Sequence, residues 1–133
     1  MRLDVFLTSF FGGEEVPVDV DALEAALSAN GLAGDRTRAR TPDGGAAGVL
    51  VDEDGASFLI EHLTLQLSRL LFDVARDARL VVLPADGTPN AYVADDALAA
   101  SLPDDVAATV VASSASLHES LRRSAETRAA RTA

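Results

Sequence analysis

The stretch LTLQLSRLLFDVARDA, residues 63–78, decides the fold. Its Leu63, Leu67, Leu70, Leu71, Val74 and Ala78 recur at helical spacing and make one stripe, while Gln66, Arg69, Asp73, Arg76 and Asp77 take the opposite face. This pattern predicts an amphipathic helix lying on a core. Leu65 and Phe72 fall beside the stripe; burial within a wide apolar arc is the expectation, and an exposed patch for a partner is the alternative.

On both sides of that helix the periodicity switches to that of strands. Upstream, GVLVDEDG (48–55) followed by SFLI (57–60) reads as a hairpin turning at Asp54-Gly55. Downstream, LVVL (80–83), a turn carrying Asp86-Gly87 and NAYV (90–93) repeat the design. Turn chemistry accounts for the likeness more simply than an internal duplication does. The segment 35–48 is rich in Gly and poor in bulky apolar residues, which predicts a loop or an edge strand.

Further out, residues 3–11 read as a first strand, with Val5, Leu7 and Ser9 on one face and Asp4, Phe6 and Thr8 on the other; Gly12-Gly13 stops it. A helix follows from Asp21 as N-cap, with Glu24 three residues on, Leu23, Ala26 and Leu27 inward and Asn30-Gly31 as the stop. Residues 95–102 predict a short capped helix that Pro103 ends, and 107–112 a last strand built on Thr109-Val110-Val111. From Ser114 the chain reads as helix again, with Ser116 and Glu119 as a capping box and Glu119/Arg123 and Arg122/Glu126 as i,i+4 pairs. Leu117 and Leu121 are its only large anchors, so fraying is expected from about residue 127. No linker divides the chain. The fold class is therefore α+β: one domain over 1–133, with an antiparallel or mixed sheet and two hairpins packed against a central amphipathic helix and a C-terminal helix.

Composition closes several chemistries. The chain has no cysteine, which excludes thiolate nucleophiles, disulfides and zinc knuckles. All 11 basic side chains are Arg, so no lysine exists for a Schiff base or a P-loop. Codon bias in a GC-rich genome, suggested also by 25 Ala, explains this more simply than salt adaptation suggested by 14 Asp against 7 Glu. The formal charge of -10 disfavours nucleic acid or an anionic membrane as partner. No apolar run reaches the ~18 residues that a bilayer span needs, because Glu61, His62 and Arg69 interrupt the longest candidate. The N-terminal FFGGEE (10–15) offers no signal-peptide cleavage pattern, so a cytoplasmic location is the expectation.

Candidate sites are few. His62 and His118 are the two imidazoles, and neither sits in a catalytic motif; Ser120 is too close to His118 to pair with it on a regular helix. Asp52, Glu53 and Asp54 resemble the start of a calcium loop, but the twelfth position is Leu63 where a bidentate Glu is needed, so a turn is the reading. Asp95-Asp96 and Asp104-Asp105 could pair as carboxylates, yet each stands where a helix N-cap is expected. Arg36, Arg38 and Arg40 alternate, so in an extended chain they project from one face and could grip an anion. A guarded edge strand is the plainer account of them.

No family motif can be laid residue by residue on this chain. The leading reading is a non-catalytic acidic interaction module, such as an immunity or inhibitor protein or a chaperone-like adaptor. It would use Asp52, Glu53, Asp54, Asp95, Asp96, Asp104 and Asp105 to meet a basic protein, for instance a toxin or secreted effector. No cofactor, nucleic acid or membrane is expected. The alternative is a small ligand-binding or enzymatic α+β domain using His62 or paired Asp residues. A third reading has the chain form a homodimer through an edge strand or the helix face bearing Leu65 and Phe72.

Overall fold

The computed structural model describes residues 2–32 and 36–132, with the side chains of 36, 37, 131 and 132 outside that description. The strands are β1 (Leu3–Phe11), β2 (Glu14–Val16), β3 (Arg36–Arg40), β4 (Ala46–Asp52), β5 (Gly55–His62), β6 (Val81–Pro84), β7 (Asn90–Val93) and β8 (Ala107–Val110). The helices are α1 (Val20–Ala29), α2 (Leu65–Asp77), α3 (Asp96–Ala100) and α4 (Ser114–Thr132). The strands form one mixed sheet in the order β3-β4-β5-β1-β6-β7-β8, with β2 folded back on the end of β1. This is the α+β architecture the sequence predicts, and both hairpins are present.

β1 takes the centre, antiparallel to β5 on one side and to β6 on the other. Its alternation explains that placement, since Leu3, Val5 and Leu7 are all buried on the face that the helices cover. Gly12 and Gly13, both at positive φ, turn the chain back into β2. The one parallel pair, β7 with β8, is reached through the α3 crossover, as parallel neighbours require.

Two cores lie on opposite faces of the sheet. The main one joins Val5, Leu7, Phe58 and Ile60 to Leu23 and Leu27 of α1, Leu67, Leu71 and Val74 of α2, and Leu117 and Leu121 of α4. The smaller one gathers Val81, Ala91, Val93 and Leu102, with Leu98, Ala99 and Val106 packed on it. Alternation sorts neighbours between the two: Val81 and Val93 face α3, whereas Val82 and Tyr92 face the main core. α3 thus covers only the β6-β7-β8 end of its face. The β3-β4-β5-β1 end of that face has no helix over it among the described residues.

Several boundaries differ from the sequence reading. Asp19, not Asp21, caps α1, its Oδ1 accepting from the Ala22 amide at 3.1 Å; Asp21 lies in the first turn, where its charge still favours the helix N-terminus. α2 starts at Leu65 because Thr64 Oγ1 accepts from the Leu67 amide. Phe72 is half-buried against the core, but Leu65 is exposed, so the wide arc stops short of it. Ser113, not Ser116, caps α4 by accepting from the Ser116 amide. Along α4, Arg122 pairs with Glu119 at i,i+3 and Glu126 at i,i+4, and no Glu119–Arg123 pair forms among the described residues. Ala125 is buried, and the helix continues through Thr132.

Candidate functional site

The uncovered half-face exposes two large apolar side chains, Leu50 and Phe6, on one cross-strand row that runs on to Leu83 at the covered end. Register places Leu50 beside Ser57, Ser57 beside Phe6 and Phe6 beside Leu83. Phe6 and Leu50 are each 41% exposed, a large area to leave in water at the centre of a sheet. Toward the β4–β5 tip the row gives way to acids. A pocket of about 210 Å³ is lined there by Phe6, Thr8, Glu15, Asp52, Asp54 and Leu83 among others. Thr8 Oγ1 donates to Glu15 Oε1 at 3.0 Å and holds that carboxylate at the rim.

The predicted partner-binding acids do not form one cluster. Asp52, Glu53 and Asp54 share the hairpin tip, all exposed, and Asp52 Oδ1 accepts from the Asp54 amide at 2.8 Å. That is a side-chain-closed turn and not a calcium loop. The Glu53 carbonyl accepts from the Val18 amide, which pins the tip to the chain entering α1. Asp95 caps α3 through the Leu98 amide and meets Arg79 at 3.4 Å, with Asp96 beside it in the first turn. Asp104 and Asp105 are exposed, but they lead into β8 and not into a helix, so the expected capping role is absent there. Glu15, Phe6 and Leu50 escaped the sequence reading. The β1 alternation already set Phe6 apart from Val5 and Leu7; what it could not show is which face stays bare.

The arginine comb lies on the edge strand β3. Arg38 is ion-paired with Glu61 two strands away, and this contact, as the largest influence, holds the Glu61 carboxyl below its usual range. Arg40 is exposed, and the Arg36 side chain lies outside the described residues. Glu61 thus occupies Arg38, whereas Arg40 has no such ion pair among the described residues.

The two histidines, 56 positions apart in sequence, reach one place. They line a cavity of about 450 Å³ with Gly44, Glu61, Leu63, Thr64 and Arg122. His62 ends β5, where a register shift against β4 at Ala46/Ala47 breaks the strict alternation, and both His62 and its neighbour Glu61 line this cavity. His118 Nδ1 is 2.8 Å from Ser68 Oγ, and Ser68 is fully buried in α2. The serine that pairs with His118 is thus fifty residues upstream, a contact that local spacing cannot show. Buried as it is, Ser68 orients the ring and is closed to substrate.

The rim of that cavity is tied by Asp43. Its carboxylate accepts from Thr41 Oγ1, Thr64 Oγ1 and the Gln66 amide at 2.6, 2.7 and 3.1 Å. Desolvation pushes the carboxyl up, but hydrogen bonds from Thr41, Thr64, Gln66 and Gly45 outweigh it and lower the pKa from 3.8 to about 2. Among the described residues no group of three His, Asp or Glu side chains could hold a metal ion. No helix among them is long and apolar enough to cross a membrane.

Set against protein-family models, curated proteins and solved structures, the chain shows no significant match.

Proposed function

We propose that the chain is a non-catalytic interaction module that receives a basic segment of a partner protein on the uncovered half of its sheet. The observation that carries this reading is the pair of exposed side chains Leu50 and Phe6, flanking Ser57 on one cross-strand row with half-buried Leu83, beside a pocket rimmed by Glu15, Asp52 and Asp54. An arginine or lysine stem lies well on Phe6 and Leu83 while its cationic head meets the acids. The formal charge of -10 adds long-range attraction for a basic partner, which speeds encounter more than it tightens the complex. A toxin or secreted effector with a basic surface is the kind of protein that such a face suits.

The test joins capture to mapping. Basic proteins retained by the native chain are re-measured against Phe6→Asp and against a Glu15→Gln/Asp52→Asn/Asp54→Asn variant. Support is a partner lost with the first, slowed in association by the second, and slowed likewise by added salt. A partner indifferent to both variants, or no basic partner at all, overturns the reading.

A further inference from the structure

The base of the β4–β5 hairpin gathers basic side chains in a chain that is acidic as a whole. Two adjoining cavities there share Gly44, Glu61 and His62; their ionisable lining is Arg38, Arg40, Arg122, His62, His118 and Glu61. Three arginines, two histidines and Glu61 line them, with the Asp43 carboxylate engaged by Thr41, Thr64 and the Gln66 amide at the rim, in a protein of 21 acidic residues and 11 arginines. Arg38 neutralises Glu61, and no carboxylate among the described residues pairs with Arg40. Arg122 is shared with Glu119 and Glu126 on the outer side of its helix.

The walls are also set in advance. Asp43 locks the β3–β4 turn to the start of α2. Gly45 is held so closely that a Cβ there would lie 2.3 Å from Thr41 Oγ1 and 2.5 Å from Thr64 Oγ1. Ser68 Oγ and His118 Nδ1 are hydrogen-bonded at 2.8 Å, which fixes the orientation of the ring. His118 lines the cavity, where a ring N–H can serve as a donor to an oxyanion. Leu63 supplies a wall for a less polar body.

We propose that this base is a binding site for a small organic oxyanion. Arginine and imidazole N–H groups take the phosphate or carboxylate head, and the body lies against Leu63. The site is at the opposite end of the hairpin from the acidic tip and stands whether or not the partner face is real.

With only two histidines in the chain, their Cε1–H resonances report the site cleanly. The full chain is titrated with phenyl phosphate, benzoate and phenol, and His62→Gln assigns the two signals. Phenyl phosphate should move both along one saturation curve while phenol moves neither. A matching benzoate curve extends the site to carboxylates, and no benzoate response restricts it to phosphate. Arg40→Ala and the stem-preserving Arg40→Gln should each weaken phenyl phosphate about fivefold with the amide spectrum otherwise unchanged. Shifts that follow sodium chloride without saturating, a response from one histidine only, equal binding of phenol, or a curve that both Arg40 variants leave intact would each overturn the proposal.

Discussion

The two ends of the β4–β5 hairpin use the same residue type for opposite purposes. At the tip, Asp52, Glu53 and Asp54 are exposed, and the one internal bond among their carboxylates is the short-range turn closure to the Asp54 amide. At the base, Asp43 spends its carboxylate on two hydroxyls and the first turn of α2, and Glu61 spends its own on Arg38. A count of acids therefore says little about which of them are available to a partner. Availability follows from what the neighbouring backbone needs: a tight turn closes on one side-chain oxygen, whereas a strand-to-helix junction must satisfy several donors at once.

The sharpest contrast lies in the two glycines that let each end close. At Gly55, φ is +133° and a Cβ would lie 1.9 Å from the Leu7 carbonyl oxygen, which belongs to the central strand and cannot move aside. Gly55→Ala should cost about 3 kcal/mol or more in chemical denaturation. At Gly45 the two nearest atoms are hydroxyls, those of Thr41 and Thr64, with the Cβ of buried Leu67 next at 2.9 Å. The hydroxyls can rotate, but doing so strips Asp43 of its donors, so Gly45→Ala should cost less, about 1 to 2 kcal/mol. Equal costs at the two positions would show that the tip and the base are alike in rigidity.

Sequence made one of these ends far more readable than the other. The tip is local: Asp54-Gly55 between two β-favouring runs predicts the hairpin, which is present with its turn one residue earlier, at Glu53-Asp54, and with Gly55 already paired to Asp52. The base is assembled from 38–46, 61–68 and 118–122, and nothing in the spacing of His62, Ser68 and His118 announces that they meet. The same holds for the bare sheet face. Alternation in β1 separates Phe6 from Val5 and Leu7, but α3 covers its face only over β6-β7-β8, a matter of tertiary packing. The misplaced caps at Asp21 and Ser116 have a simpler cause. More than one residue of capping type precedes each helix, and composition does not say which one adopts the extended backbone of a cap.

Acid titration should separate the ends next. Because folding lowers the Asp43 pKa from 3.8 to about 2, its stabilising contribution is full above pH 4. It fades as pH falls through about 2. The stability gap between the native chain and Asp43→Asn should accordingly hold constant from neutral pH down to about 4 and then narrow. A gap that widens in acid would reverse the sign argued here. Ser68→Ala should cost about 1 kcal/mol, since it removes the hydrogen-bond partner of His118 Nδ1 in a half-buried setting. Imidazole ¹⁵N shifts give the independent readout: the bond to Ser68 biases the tautomer of the native ring, and the variant loses that bias. An unchanged tautomer would mean that Ser68 packs without orienting the ring.

The smallest effect on folding is expected where the proposed function is concentrated. Asp52→Asn keeps an oxygen able to accept from the Asp54 amide, and Asp54 is exposed, so the double change to Asn should alter stability by no more than about 0.5 kcal/mol. It removes two negative charges beside Phe6 and Glu15, and association with a basic partner should slow severalfold at low ionic strength, with the deficit shrinking as salt screens the native field. The pairing of a silent stability measurement with a salt-dependent rate defect is the point of the experiment. A large loss of stability would move these acids into the same structural class as Asp43, and the tip would then differ from the base in position alone.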